Sequence, residues 1–368
     1  MTKGFYLHIP FCRRKCHYCN FYSSVRTELK TQFFEALSKE IAYKRHRYDD
    51  FFSDCRDATL YIGGGNPALL TEKELEKIFF LLRGLPISFE EVTIELNPED
   101  FSLEKLKFIR SLGVNRLSLG IQSFCGNVLQ FLGRNHNRKG SLVAIETAAK
   151  LFDNYSIDLI GGLSFVERDW ELEFDIIKNF LPPHLSFYLL SVEEGTAFYG
   201  KIKVNEEQQH KEYFSFCEFA AANSYEHYEV SNFCRDGKYS RHNQLYWDGS
   251  DYLGFGPSAA SFLSNKGLRL KNVADIDIYI KEPKFEETEV LTDRDRFMEA
   301  LFLPLRTKDG VDLKSVAIKF PNLFARIEKH LKEMKAKGYL IDKGGRVIIP
   351  EERLLVMNEI VLNLVKEI

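Results

Sequence analysis

Three observations predict an α/β fold built on a parallel sheet. Six short apolar segments of strand character alternate with helical segments at roughly thirty-residue intervals, the rhythm of successive βα units. Polar residues gather at or near the C-terminal ends of those strands: a cysteine loop, a glycine-rich loop, Glu95, Gln122 and Asp158. After about residue 285 the rhythm stops, and three helical stretches with a hairpin predict a smaller α+β module resembling a winged helix. A barrel and an open doubly wound sheet both fit the strand pattern, and both use the C-terminal edge of the strands for function.

In chain order, FYLHIPF reads as the first strand and leads into the cysteine loop. Residues of about 27–48 carry Phe33, Phe34, Leu37 and Ile41 at helical spacing. A strand over 58–62 runs into Gly63-Gly64-Gly65-Asn66-Pro67, and Thr71 with Glu74 three residues later opens the next helix as a capping box. Strands follow over 91–96, 115–122, 156–160 and 185–190. Between them lie helices capped by Ser102 and stopped by Gly113, then at about 138–152 and 170–180. Residues 205–285 lose the βα rhythm and read as an irregular extension containing HNQLYW. In the last segment, 286–368, helical text at 293–303, 312–318 and 322–337 precedes GYLIDKGGRVIIP, a hairpin turning on Gly344-Gly345. The expected division is therefore 1–204, 205–285 and 286–368.

Composition narrows the function classes. A net charge of −3 gives no general pull toward nucleic acid or anionic membrane, and Lys and Glu are interspersed in the last module, so DNA is not an expected partner. Seven cysteines form no regular framework for disulfides, and no apolar run approaches ~18 residues, which predicts a soluble cytoplasmic protein.

Cys12, Cys16 and Cys19 carry the most chemistry. Three thiolates on one tight loop ligate three irons of a cubane and leave the fourth open to a substrate or cofactor. The alternative is a structural zinc site, which needs a fourth ligand; His17 shares the loop with Cys16 and Cys19 and is poorly placed to supply it. Cys55, Cys125, Cys217 and Cys234 lack ligand spacing and read as small buried hydrophobes. Arg13, Arg14 and Lys15 either face an anionic cluster or an acidic reductant, or are simply solvated. The glycines of GGGNP allow close backbone approach to a ligand. Asp158 interrupts an apolar strand and needs a partner, for which a ribose hydroxyl is suitable.

The C-x3-C-x2-C spacing resembles that of the radical S-adenosylmethionine (SAM) superfamily. There a 4Fe–4S cluster binds S-adenosyl-L-methionine through its open iron, and reductive cleavage yields a 5′-deoxyadenosyl radical. The resemblance implies a partial (β/α)6 TIM-like barrel. YLHIPFC, GGGNP, ELNPED, LGIQSF, LGRNH and DLIGGL together resemble one subgroup, oxygen-independent coproporphyrinogen III dehydrogenase and its sister branch, the HemW-type haem chaperones. That subgroup implies a SAM site lined by Tyr6, Tyr18, Gly64, Gly65, Asn66, Glu95, Gln122, Arg134 and Asp158, with Tyr18 against the adenine. It also implies an electron donor such as flavodoxin or ferredoxin.

Two features favour the chaperone branch, with haem as cargo for an apoprotein. Phe21 stands where the dehydrogenases carry a fourth cysteine, and residues 242–247 match the HNxxYW signature associated with haem binding. His242 then offers an imidazole to haem iron, with Tyr246 and Trp247 covering a porphyrin face; the alternative is that the motif only packs barrel against tail. Three positions depart from the family pattern. Ala260 replaces a frequent His, Asn20 a frequent Asp, and DLIGGLSF lacks a frequent Pro.

Overall fold

The computed structural model describes residues 2–368 apart from 54, 56, 285 and 367. Six parallel strands lie side by side in sequence order: β1 (Gly4–Ile9), β2 (Ala58–Gly64), β3 (Phe89–Leu96), β4 (Arg116–Gln122), β5 (Tyr155–Gly161) and β6 (His184–Leu189). A doubly wound sheet reverses its order at a switch point. This one does not, and the sequential order is that of the partial six-unit barrel.

Residues 205–285, expected to be irregular, are largely ordered. The helix Glu206–Ala222 is followed by β7 (Glu226–Glu229) and β8 (Asn232–Cys234), with β8 pairing antiparallel to β6. At the other edge β9 (Tyr252–Phe255) pairs parallel to β1 and continues through β10 (Ala260–Leu263), β11 (Leu268–Asn272) and β12 (Glu286–Val290). Twelve strands among the described residues thus form one sheet. The segment hid this because its strands span only three to five residues and are cut by glycines, too short for a period-2 pattern to show.

Strict alternation along the six central strands divides the molecule. Phe5, Leu7, Leu60, Ile62, Ile94, Leu117, Leu119, Ile157, Leu185 and Phe187 belong to one buried apolar core under the surrounding helices. The residues between them, among them Tyr61, Glu95, Ser118, Asp158 and Ser186, face the concave side and are almost all polar. The lumen of the barrel is therefore built for polar contents.

The last module has its own core of Phe297, Leu301, Leu305, Ile327, Leu331, Val347 and Ile360. It contains the helices Asp293–Leu305, Leu313–Lys319 and Pro321–Ala336, the hairpin β13 (Ile341–Lys343) and β14 (Arg346–Ile348), and the helix Met357–Leu364. Gly344 and Gly345 both have positive φ, as a two-residue hairpin turn requires.

One buried ion pair ties the first long helix, Lys30–Arg47, to the added strands. Lys44 Nζ lies 3.0 Å from Glu40 Oε1 and donates to Gly254 O (2.8 Å) and Asn272 Oδ1 (2.9 Å). Glu40 accepts in turn from Gly256 N, Tyr279 Oη and Asn272 Nδ2. Breaking such a pair strands a buried charge. Lys44 also lies 3.3 Å from Glu286 Oε2, so Lys44→Met is expected to cost about 3–5 kcal/mol in denaturant unfolding, and Glu40→Gln added to it to recover only part of that loss.

Candidate cofactor site

The cysteine loop leaves β1 at Pro10 and is closed at its base by main-chain bonds, Cys12 N to Ser24 O (2.9 Å) and Ser24 N to Pro10 O (2.6 Å). Within it Cys19 N donates to Cys16 O (3.3 Å). His17 turns outward and donates Nδ1–H to Phe131 O at 2.9 Å, so it does not complete a ligand set with the thiols. Among the described residues no three His, Cys, Asp or Glu side chains converge on a single ion. The three thiols line one cavity as separate donors, which suits a multi-iron cluster better than a mononuclear tetrahedral site. Burial, reinforced by Cys19 and Cys16, pushes the Cys12 thiol up to about 12, so loading metal must expel protons.

The cavity of about 550 Å³ runs from these cysteines into the barrel. Of the residues expected to hold SAM, it gathers Tyr18, Gly64, Gly65, Asn66, Glu95, Gln122, Arg134 and Asp158. Gly65 N donates to Ile9 O (2.8 Å) and Asn66 N to Phe11 O (2.8 Å), sewing the glycine loop to the start of the cysteine loop. A Cβ on Gly65 would stand 2.6 Å from Phe11 O, and Gly64 has φ of 108° with the His8 ring 2.5 Å from where its Cβ would be. The glycines are thus required by the protein's own packing, a reason absent from the ligand-based expectation. Asn66 caps the turn it begins, accepting from Ala68 N and donating to Asp100 Oδ2 (2.7 Å), while Arg13 pairs with the same carboxylate.

Glu95 accepts from Tyr61 Oη (2.8 Å) and Gly64 N (3.0 Å). Burial pushes its carboxyl up to about 7, with those two bonds pulling the other way. Asp158 accepts from Ser118 Oγ (2.7 Å) and Ser156 Oγ (2.9 Å), and burial again raises its carboxyl above the usual range. Strand β4 is irregular at its end, where the register shifts between Gly120 and Gln122 and Gln122 adopts φ of 64°. Gln122 Nε2 then donates to Tyr18 Oη at 3.1 Å. Arg134 donates to Asn97 Oδ1 (2.6 Å) and Gly120 O (2.9 Å) and brings Nη1 within 3.6 Å of Cys16 Sγ. Gln122 Oε1 and Arg134 Nε are buried without a hydrogen-bond partner, two polar atoms that a bound cofactor can satisfy.

Two expected site residues lie elsewhere. Tyr6 donates from its hydroxyl to His8 Nδ1 (3.0 Å), whose Nε2–H is held by Tyr22 O (2.8 Å), and Tyr6 does not line the cavity. His242 sits beneath the barrel, 1% exposed, with Nδ1 on Thr59 Oγ1 (2.8 Å) and Nε2 on Tyr246 Oη (2.9 Å). An imidazole open to haem iron is not what this conformation offers: burial lowers its basicity to about 3, and both ring nitrogens are engaged. Glu91 fixes this floor by accepting from the main-chain N–H of Arg241 (3.1 Å) and His242 (2.9 Å) at the start of the helix Arg241–Trp247. Asn243 of the same helix does reach the cavity, whereas Ala260 does not line it.

Tyr61, Arg116, Ser118, Ser186, Tyr188 and Asn243 also line the cavity and were not singled out from sequence. The signal existed for four of them, Arg116 and Ser118 in RLSLGIQ and Ser186 and Tyr188 in HLSFYL, where polar alternates with apolar.

A partial barrel with three cysteines at its mouth and a polar lumen beneath defines a radical SAM protein. The family model described as the radical SAM superfamily matches residues 6–174, and that of the HemN C-terminal domain matches 291–355. The chain is similar to "Heme chaperone HemW" of Bacillus subtilis, 32% identical with 97% of this chain and 98% of that protein covered. It is also 32% identical to "Heme chaperone HemW" of Lactococcus lactis, covering 92% of this chain and 93% of that one. Among solved structures, coproporphyrinogen III oxidase (HemN) from Escherichia coli superposes with a TM-score of 0.83 at 22% identity, covering 100% of this chain and 91% of that one, which shows a shared fold. The chain belongs to the HemW family.

A carboxyl raised from 4.5 to about 7 on folding takes up a proton, so its contribution to stability is present below about pH 4.5 and lost as pH rises through 7. Glu95→Gln removes that dependence. The variant's stability relative to wild type is expected to rise by about 3 kcal/mol between pH 4.5 and 8, measured by urea unfolding of the apoprotein. Gly64→Ala combines a positive φ with a clash against His8 and is expected to destabilise by more than about 2 kcal/mol, read in the same assay.

Proposed function

We propose that this protein binds haem and delivers it to an apoprotein, using a 4Fe–4S cluster on Cys12, Cys16 and Cys19 and SAM held beside it. The observation that carries the reading is the near full-length similarity to proteins named haem chaperones. Phe21, at 69% exposed, adds to it by presenting no thiol at the cavity mouth. The cluster would supply one-electron reductive chemistry to SAM, fed by a flavodoxin- or ferredoxin-type donor. Within the cavity Gly64, Gly65 and Asn66 present a narrow main-chain edge suited to the SAM amino acid. Gln122 and Arg134 hold unspent hydrogen-bonding capacity, and Asp158 and Glu95 offer acceptors to ribose and ammonium groups. Tyr18, pinned by Gln122, offers a ring face to adenine. His242 enters this reading as a haem ligand only if Tyr246 gives up its bond to Nε2.

Anaerobic reconstitution followed by haem titration, read by absorbance, tests the proposal. Stoichiometric binding is expected for wild type, together with no conversion of coproporphyrinogen to protoporphyrinogen when SAM and reductant are added. Clean turnover would sink the chaperone reading in favour of oxidative decarboxylation. His242→Ala, which opens the barrel floor, is expected to lower thermal stability. A Soret band lost in that variant while its fold is kept would mean that the floor opens to give the imidazole to iron.

A further inference from the structure

Arg116 is the first residue of β4, 2% exposed, and it lines the lower part of the cavity. Its Nε is buried without a hydrogen-bond partner. Among the described residues none forms a hydrogen bond or an ion pair with its guanidinium, although every other cavity charge near it is engaged: Asp158 by Ser118 and Ser156, Glu95 by Tyr61 and Gly64. The field of Arg116 helps hold the Asp158 carboxyl down without a direct bond, so the donors of this buried guanidinium stay free for an anion that comes to meet them. Along β4 the backbone of Arg116 lies roughly 20 Å from that of Gln122 and two residues below Ser118, which holds Asp158, so the guanidinium stands at the base-ward end of a cofactor whose ribose meets Asp158.

We propose that Arg116 is the anchor of a second ligand subsite at the base of the lumen, which binds the carboxylate of a small organic acid or of a larger molecule bearing such an arm. The planar fork of a guanidinium matches a carboxylate bidentately. Ser118, Ser186, Tyr188 and Asn243 line the same cavity and bring hydroxyl and amide donors for the rest of the group. A single negative charge fits better than a phosphate dianion, because Asp158 and Glu95 lie on the same cavity wall and would repel the second charge. One source of such a carboxylate is the propionate arm of haem, and this version rests on the haem reading above; the other is a free carboxylic acid, which does not.

The test uses the reconstituted protein, comparing wild type with Arg116→Met, which keeps an unbranched apolar stem and removes the charged fork. Haem and haem dimethyl ester are titrated by absorbance, SAM by equilibrium dialysis, and propionate and glutarate by thermal shift. The expected result is at least about tenfold preference of wild type for haem over its ester, collapsing in the variant, while SAM affinity stays within about twofold. Equal binding of haem and ester, or no haem binding at all, combined with Arg116-dependent stabilisation by the free acids assigns the subsite to a free acid and supports the proposal independently of haem. Absence of both effects in wild type overturns it, and so does their persistence in Arg116→Met. The acid-against-ester comparison in wild type needs no variant, so the test survives if Arg116→Met does not fold.

Discussion

A β-strand has two faces, and in this molecule they are assigned to opposite tasks. Apart from a few paired charges such as Lys44 and Glu40, the space between sheet and helices is apolar, and almost everything that the six central strands turn toward the lumen is polar. A polar interior is stable only when each group finds a partner, so the arrangement of the site follows from that need. Ser118 on the neighbouring strand and Ser156 on its own satisfy Asp158, a tyrosine and a main-chain amide satisfy Glu95, and Glu91 satisfies the start of the helix that closes the base. The HNQLYW segment, striking only as a motif in the linear chain, is in space a stopper for the barrel.

The partners that remain unspent mark where the protein is unfinished without ligands. Gln122 Oε1 and Arg134 Nε lie near the mouth and Arg116 near the base, at opposite ends of one cavity. Each is the kind of group whose burial is unfavourable alone and favourable once met. The upper pair stands beside the cysteines, and the lower residue stands apart from them.

Much of this was legible in sequence because the signals were local. Thr71 and Glu74 form the expected capping box, Ser102 caps its helix, Trp170–Phe180 has the expected bounds, and the glycine pair at 344–345 turns the hairpin. The cysteine spacing and strand-end polar residues likewise fall on one cavity. What escaped depended on contacts distant in sequence. Edge strands of three to five residues have no periodicity to read, and they become strands only by adding to β1 and β6. His242 stayed open between haem ligand and packing residue because nothing near it in sequence tells of Thr59, 183 residues earlier, taking up Nδ1. Arg116 drew no notice in the linear chain, because burial of a single residue is a property of the closed barrel.

The two outer strands have a further consequence. Any long sheet ends in a row of unpaired main-chain groups that invites another chain to add to it. Here residues 306–308 already cover the β7 margin, with Lys308 N on Tyr228 O (3.0 Å) and Val230 N on Arg306 O (3.3 Å), while β12 at the far end turns Glu287 and Glu289 to solvent. One margin of the twelve-stranded sheet is thus occupied by the protein's own chain, and at the other two copies meeting edge to edge would bring exposed carboxylates together.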